Sequence, residues 1–336
     1  MKKIYVEFVA VCLLVIISFG MMFDMLGLNH EIRSVPVFGE SRGDYIKWVD
    51  FNVPLNVMQQ AYKYDVESFG TDVQLNWIEL IAYTATKTWG EWRNNPLQEM
   101  SSLVERLRAG EYIDDITANL ELYSYFLEAY MAVLSGFVGE FEIIEGNEIT
   151  RKYGLRAFSP IAKGYSFSHY DDFGNARSYG YKRRHLGNDL IGRVGTPIIS
   201  VEDGYIEALG WNQYGGWRVG IRSLDGKRYY YYAHLRKDHP FVKTLNVGDR
   251  VQAGDVIGYL GMTGYSRREN VNNIEIPHLH FGLQLIFDES QKDGINQIWI
   301  DVYNIIRFLE KNRMPVHKGE DGDFVSSLRI NSIITD

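Results

Sequence analysis

The chain has 8 histidines, and four of them stand in company that suits metal or proton chemistry: His185, His234, His278 and His280. In the stretch His278-Leu279-His280-Phe281-Gly282-Leu283-Gln284-Leu285 the apolar residues take one parity and the two imidazoles the other. That is the signature of a strand with one buried face, because successive side chains point to opposite sides. Residues two apart on a strand lie roughly 7 Å apart, so one ring can ligate a metal while the other stands beside the reacting groups. His234 ends an aromatic run, Tyr229-Tyr230-Tyr231-Tyr232-Ala233-His234, and can meet the same face from a neighbouring strand. His185-Leu186-Gly187-Asn188-Asp189 adds an imidazole and a carboxylate within five positions. Two nitrogens, one carboxylate oxygen and an open fourth position make up the donor set of a catalytic rather than a structural zinc site. Zinc held that way lowers the pKa of water to about 7 and polarises a carbonyl as a Lewis acid.

These residues need a β scaffold, and the second half of the chain reads as one. After Gly192 come short β-type runs: Thr196 to Val201, Tyr205 to Leu209, Trp217 to Arg222, Arg228 to His234, Val256 to Tyr259 and His278 to Phe287. Asp203-Gly204 and Asp225-Gly226 are hairpin turn signals between them. From Leu55 to about Phe141 the apolar spacing is helical instead, as in Leu97, Met100, Val104 and Leu107, then Leu120, Tyr123, Leu127, Tyr130, Leu134 and Phe137. Pro96 suits a first helical turn and Gly110 a helix stop. The aromatic residues of this stretch read as core packing, and the residue pattern assigns it no role.

The expected class is α+β: an N-terminal transmembrane helix, a small helical domain, then an antiparallel β-sheet domain. The boundaries are an anchor over residues 1–28, helical residues 40–145, linker and loops over 146–180, the β domain over 181–312, and a loosely ordered tail over 313–336. The cluster His169-Tyr170-Asp171-Asp172 falls in the linker and is read as solvated loop without a role. From Asp301 to Asn312 the pattern Val302, Ile305, Ile306, Leu309 suggests a helix that closes the β domain.

Met1-Lys2-Lys3 precedes a run from Phe8 to Phe23 that holds no charged residue. The run exceeds the usual signal-peptide core of about 7 to 15 residues. With Ile4, Tyr5 and Val6 it approaches the roughly 20 apolar residues that span a bilayer, so it reads as an uncleaved single-pass anchor. Lysines before the run and acidic residues after it put the remainder outside the cytoplasm.

Composition excludes other classes. Hydrophobic residues at 46% and charged residues at 23% describe a folded chain. A net charge of −8 argues against a phosphate-binding surface, and so against nucleic acid. The single cysteine, Cys12, lies inside the apolar run, which excludes an intramolecular disulfide and thiol catalysis. His30-Glu31 fails the HExxH pattern because Ser34 holds the last position, and no G-x-S-x-G or P-loop sequence is present. Gly258, Gly261 and Gly264 read as turns between strands, not as a phosphate cradle.

Residues 181–287 resemble the M23 family of zinc peptidases, the lysostaphin-like or LytM-type endopeptidases. His185-x-Gly187-x-Asp189 matches the family's HxGxD motif, Tyr232-Ala233-His234-Leu235 its YAHL motif, and His278-Leu279-His280-Phe281 its HLHF motif. Val247-Gly248-Asp249, Gly254 to Gly258 and Thr263-Gly264 match the glycine-punctuated stretch between the last two. The resemblance implies a LytM-like β fold, with His185, Asp189 and His280 as zinc ligands. His234 and His278 then flank the reacting groups, one to abstract a proton and the other to stabilise the oxyanion. It further implies peptide bonds of peptidoglycan stem peptides or cross-bridges as the substrate. Family members that only regulate or scaffold have lost ligands, and here every expected position is filled. Two departures stand out: the insertion Tyr265 to Pro277 is longer than the family's usual connection, and Gly282 stands where a Glu often follows HLHF. The helical part has no counterpart in the minimal peptidase module, and nothing in it identifies a protein partner.

Overall fold

A computed structural model describes residues 46–146, 148–178 and 182–333. The anchor expected over residues 1–28, including the apolar run Phe8 to Phe23, lies outside them. Among the described residues no helix is long and apolar enough to cross a membrane.

Within the described residues five helices come first: α1 Leu55–Ser68, α2 Trp77–Thr88, α3 Pro96–Arg108, α4 Ile113–Thr117 and α5 Tyr123–Leu134. Asn76 caps α2, its side chain accepting from the Ile78 and Glu79 amides that would otherwise lack partners. Pro96 opens α3 as its sequence position suggests, and Gly110 follows its end with φ 95°. Met100, Leu103 and Val104 are the buried stripe of that helix. Helical spacing is expected as far as Phe141, but the chain leaves the helix at Leu134 and Val138–Glu145 is a strand, β1. Ser135-Gly136 breaks the helix, and the β-branched and aromatic residues beyond it pair across a sheet.

The next strands are β2 Glu148–Leu155, the short pair β3 Ala176–Ser178 and β4 Lys182–Arg184, β5 Asn188–Ile191, β6 Pro197–Ile199, β7 Gly204–Asn212, β8 Gly216–Ser223 and β9 Arg228–Ala233. Then follow β10 Arg250–Val251, β11 Val256–Tyr259, β12 His278–Leu285, β13 Ile298–Ile300, the helix α6 Tyr303–Leu309, and β14 Val316–Lys318, β15 Phe324–Ser326 and β16 Arg329–Ser332. Two expectations are corrected here. The stretch read as linker carries β2, which pairs with β1 along its whole length. The tail read as loosely ordered returns as β16 on the other side of β1; local pattern does not reveal a strand whose partner is nearly two hundred positions away.

The main sheet is antiparallel, as the turn signals imply, in the order β10-β7-β8-β9-β12-β13. β5 joins the same edge of β12 as β13, opposite its first residues. Leu279, Phe281, Leu283 and Leu285 are at most 1% exposed, which fixes the other parity of β12 on the opposite face. Helices and sheet share one continuous apolar core, in which Phe308 of α6 packs on the rings of Tyr62 and Trp77. A buried ion pair adds a polar fastening. Arg228 of β9 donates to both oxygens of Glu202 at 2.8 Å, and to the Ala132 carbonyl and Ser135 Oγ at the end of α5.

Candidate metal centre

β5 and β12 pair with Asp189 directly opposite His280, so the register itself brings a carboxylate to an imidazole 91 positions away. His185 enters just ahead of β5. Gly187 lets that turn lie flat on β12, since a Cβ there would stand 2.7 Å from the Phe281 carbonyl oxygen and 2.8 Å from the His280 ring. The result is a triangle of donor atoms. His185 Nε2 lies 2.9 Å from Asp189 Oδ1 and 2.9 Å from His280 Nδ1, and His280 Nδ1 lies 3.1 Å from Asp189 Oδ1. Among the described residues this is the cluster of histidine and acidic side chains that could hold a metal ion.

Protons alone do not satisfy this triangle. His185 Nδ1 faces the Asp172 carboxylate at 3.2 Å and the Asp172 carbonyl at 3.3 Å, both pure acceptors. A neutral His185 therefore carries its hydrogen on Nδ1 and turns the Nε2 lone pair toward the Asp189 oxygen, acceptor against acceptor. A doubly protonated His185 donates from Nε2, but then either His280 Nδ1 also bears a hydrogen, which meets it across the 2.9 Å nitrogen–nitrogen contact, or the His280 Nδ1 lone pair faces the Asp189 oxygen at 3.1 Å. One cation shared by three lone pairs removes the conflict, and donors about 3 Å apart suit metal bonds of about 2.0–2.2 Å. The residues present fit zinc.

Asp172 and His169 belong to the stretch that the sequence leaves without a role, and the structure corrects that. Asn188 donates to Asp172 Oδ1 at 3.1 Å and to the Tyr170 carbonyl, while accepting from His169 Nδ1 at 2.7 Å. His169 in turn packs on the Tyr303 ring, with centroids 4.9 Å apart. The cluster orients His185 from behind, as carboxylates commonly do for metal-binding histidines. No local spacing rule reveals this, because the partners meet only once β5 is in place.

The other two histidines share one arrangement. His234, at φ 62° just past β9, sets Nδ1 2.9 Å from the Thr263 carbonyl. His278 sets Nδ1 2.8 Å from the Ile276 carbonyl. Carbonyls only accept, so both rings hold their hydrogen on Nδ1 and keep Nε2 open. His278 Nε2 lies 3.6 Å from Asp189 Oδ1, and the His234 and His278 ring centroids are 4.8 Å apart. All five residues singled out from the sequence thus meet at one place. The insertion after Gly264 lies beside them: Tyr265 packs 5.6 Å from the His234 ring, and Asn270 accepts from Trp217 Nε1 and donates to Asp238.

Burial acts first on each titrating group. It pushes the Asp189 carboxyl up, but the neighbouring His185, His280 and His278, whenever they are protonated, outweigh it and hold the carboxyl below the usual range. Burial draws His234 well below the ordinary histidine value, with His278 and His280 acting the same way. Burial lowers His280 as well, against the opposing pull of Asp189. Asp189 is thus biased toward the carboxylate and His280 toward the neutral imidazole, the forms in which these side chains ligate metals.

This fold and this convergence of donors define a class. Residues 183–293 match the model of Peptidase family M23, a metallopeptidase family, and the match supports hydrolase activity. The chain is 33% identical over 172 residues to the L-Ala--D-Glu endopeptidase of Bacillus subtilis, covering 51% of this chain and 49% of that protein. It is 42% identical over 98 residues to the glycyl-glycine endopeptidase ALE-1 of Staphylococcus capitis, covering 29% of this chain and 24% of that protein. The chain thus spans about half the length of the first relative and about a quarter of the second. A solved lytM structure from Ruminococcus gnavus shares the fold with a TM-score of 0.54 at 22% identity, covering 80% of this chain and 92% of that one. That cover is wider than the family segment, so the likeness of fold reaches into the helical part.

Proposed function

We propose that the chain is a zinc-dependent endopeptidase that hydrolyses peptide bonds of peptidoglycan stem peptides or cross-bridges outside the cell membrane. His185, Asp189 and His280 hold the metal. The observation that carries this reading is the donor triangle backed by Asp172, an arrangement that protons alone leave in conflict. Zinc bound there supplies Lewis acidity and a nucleophile at neutral pH. The chain's own residues do the rest. His234 and His278, each with Nδ1 tied to a carbonyl, present Nε2 lone pairs toward the site. One takes the proton released by the attacking water and passes it to the departing amine, and the other, taking up a solvent proton at Nε2, donates to the oxyanion. Asp189 keeps its charge on the metal and against the flanking histidines.

A wall peptide as substrate is supported by the names of two relatives, one cutting beside a D-amino acid and the other a glycyl-glycine bond. The apolar run Phe8 to Phe23 supports a single-pass anchor with the peptidase domain on the outer side. Digestion of purified wall sacculi by the wild-type chain, with and without a zinc chelator, and by His280→Ala tests the reading. The expected result is release of free amino groups by the zinc-loaded wild type alone. Zinc-loaded, folded wild type that cuts no wall type would instead favour a scaffold that retains the fold.

A further inference from the structure

A second feature lies away from the histidines, on the helical part. An open groove of about 800 Å³ runs between α1, the end of β2 and the residues that close α6. That volume falls within the usual range of ligand sites, about 300–1,000 Å³. Asn56, Gln59, Gln60 and Lys63 line it from α1, at the three- and four-residue spacing that puts them on one helix face. The three carboxamides have no side-chain hydrogen-bond partner among the described residues, so their donors and acceptors face solvent. Apolar carbon comes from Leu97, Leu155, Phe141 and Phe308. The charges are few: Lys63 pairs with Glu67 at 3.8 Å, which leaves Lys311.

This chemistry selects among ligands. One unpaired cation is too little for a polyanion, whose affinity rests on many neutralised phosphates. An extended peptide would dock by adding to the edge of β2, but that edge is already occupied in the groove. The Leu155 amide donates to Tyr62 Oη at 3.2 Å, and the Leu155 carbonyl accepts from Asn312 Nδ2 at 3.1 Å. Carboxamides that each offer donors and an acceptor over an apolar floor suit a neutral ligand with hydroxyl and amide groups on one side and C–H groups on the other. An acetylated amino sugar is such a ligand.

We propose that this groove binds the acetylated amino-sugar strand of a wall polymer, holding the enzyme on its substrate by the sugars while the metal centre works on the peptides. The assignment of the polymer rests on the peptidase reading above. α6 ties the two places together. Tyr303, its first residue, packs on the His169 that supports His185 through Asn188 and Asp172, and Phe308 lines the groove about 7–8 Å further along the axis.

The test is an NMR titration of the full-length chain with the tetramer of β-1,4-linked N-acetylglucosamine, with the glucose tetramer and a soluble stem peptide as comparisons. Asn56→Ala/Gln60→Ala removes two carboxamides from an exposed helix face where alanine favours the helix, so the fold is kept. Expected are binding of the acetylated tetramer in preference to the glucose tetramer, and about a tenfold or greater weakening in the double variant. Cleavage of the short stem peptide stays at the wild-type rate in that variant, while digestion of intact walls slows. The proposal is overturned if the wild type does not bind the acetylated tetramer, if the double variant binds it equally, or if the groove takes the stem peptide instead. Because the titration needs no hydrolysis, a wild type that cuts nothing would defeat the peptidase reading and still leave the groove decided.

Discussion

Replacing Asp172 by Asn isolates the support behind the metal centre without touching a donor atom. The two carboxylate oxygens of Asp172 have different duties: Oδ2 faces His185 Nδ1 at 3.2 Å, and Oδ1 accepts from Asn188 Nδ2 at 3.1 Å. An amide keeps only one acceptor. Whichever way it turns, its NH2 group meets either the His185 Nδ1 hydrogen or the Asn188 NH2 group, donor against donor. The charge that favours Nδ1 protonation, and so the Nε2 lone pair, is lost as well. Changes to such supporting partners typically weaken metal affinity 10–100-fold, or about 1.4–2.7 kcal/mol. The assay is competition for zinc against a chromophoric chelator at about pH 7.5, where neutral imidazoles prevail, with near-ultraviolet circular dichroism as the check on folding. Wild-type affinity in a folded Asp172→Asn chain would refute the proposed hold on His185.

Three further outcomes follow from separate parts of the molecule. Glu202→Gln leaves the buried Arg228 guanidinium with only Asp225 as an ionic partner, and should lower stability by roughly 3–5 kcal/mol in urea unfolding; a loss below about 1 kcal/mol would discount this fastening. Gly282→Ala puts a Cβ 2.8 Å from Trp299 Cζ3 and 2.9 Å from the Leu186 carbonyl oxygen, so it should displace the turn bearing His185 and weaken zinc binding; unchanged zinc affinity would contradict the close packing of that turn. His234 has its folded pKa drawn below the ordinary value, so the unfolded chain binds the extra proton first and stability falls as pH drops below about 6.5, by up to about 1.4 kcal/mol per unit. His234→Asn, which tolerates the positive φ and retains a donor for the Thr263 carbonyl, should flatten that slope between about pH 7.5 and 5 in chelator-treated protein; an unchanged slope would remove His234 as its source.

What the sequence reveals depends on how local its cause is. The alternation in β12 is a local steric fact, so the residue pattern alone puts both imidazoles on the face away from Leu279 and Phe281. His185 and Asp189 are recognisable as a donor pair because only five positions hold them. Pro96 and Gly110 bracket α3 for equally local reasons. Asp172 gives no such signal, since it acquires its role from Asn188 in a strand that forms by pairing with β12. β2 and β16 are hidden in the same way: Glu148 to Lys152 are all exposed, the apolar Ile149 among them, so no buried face alternates there, and only pairing with β1 makes them a strand. The end of α5 is blurred because Phe137 and Phe141 continue the helical spacing of apolar residues, while their burial comes from a turn and a strand.

Anomalous diffraction above and below the zinc absorption edge, from crystals of the zinc-loaded chain, addresses the central assignment directly. One peak is expected, at about 2.0–2.2 Å from His185 Nε2, Asp189 Oδ1 and His280 Nδ1 together. A zinc peak elsewhere, or none between these three atoms in fully loaded protein, would contradict it.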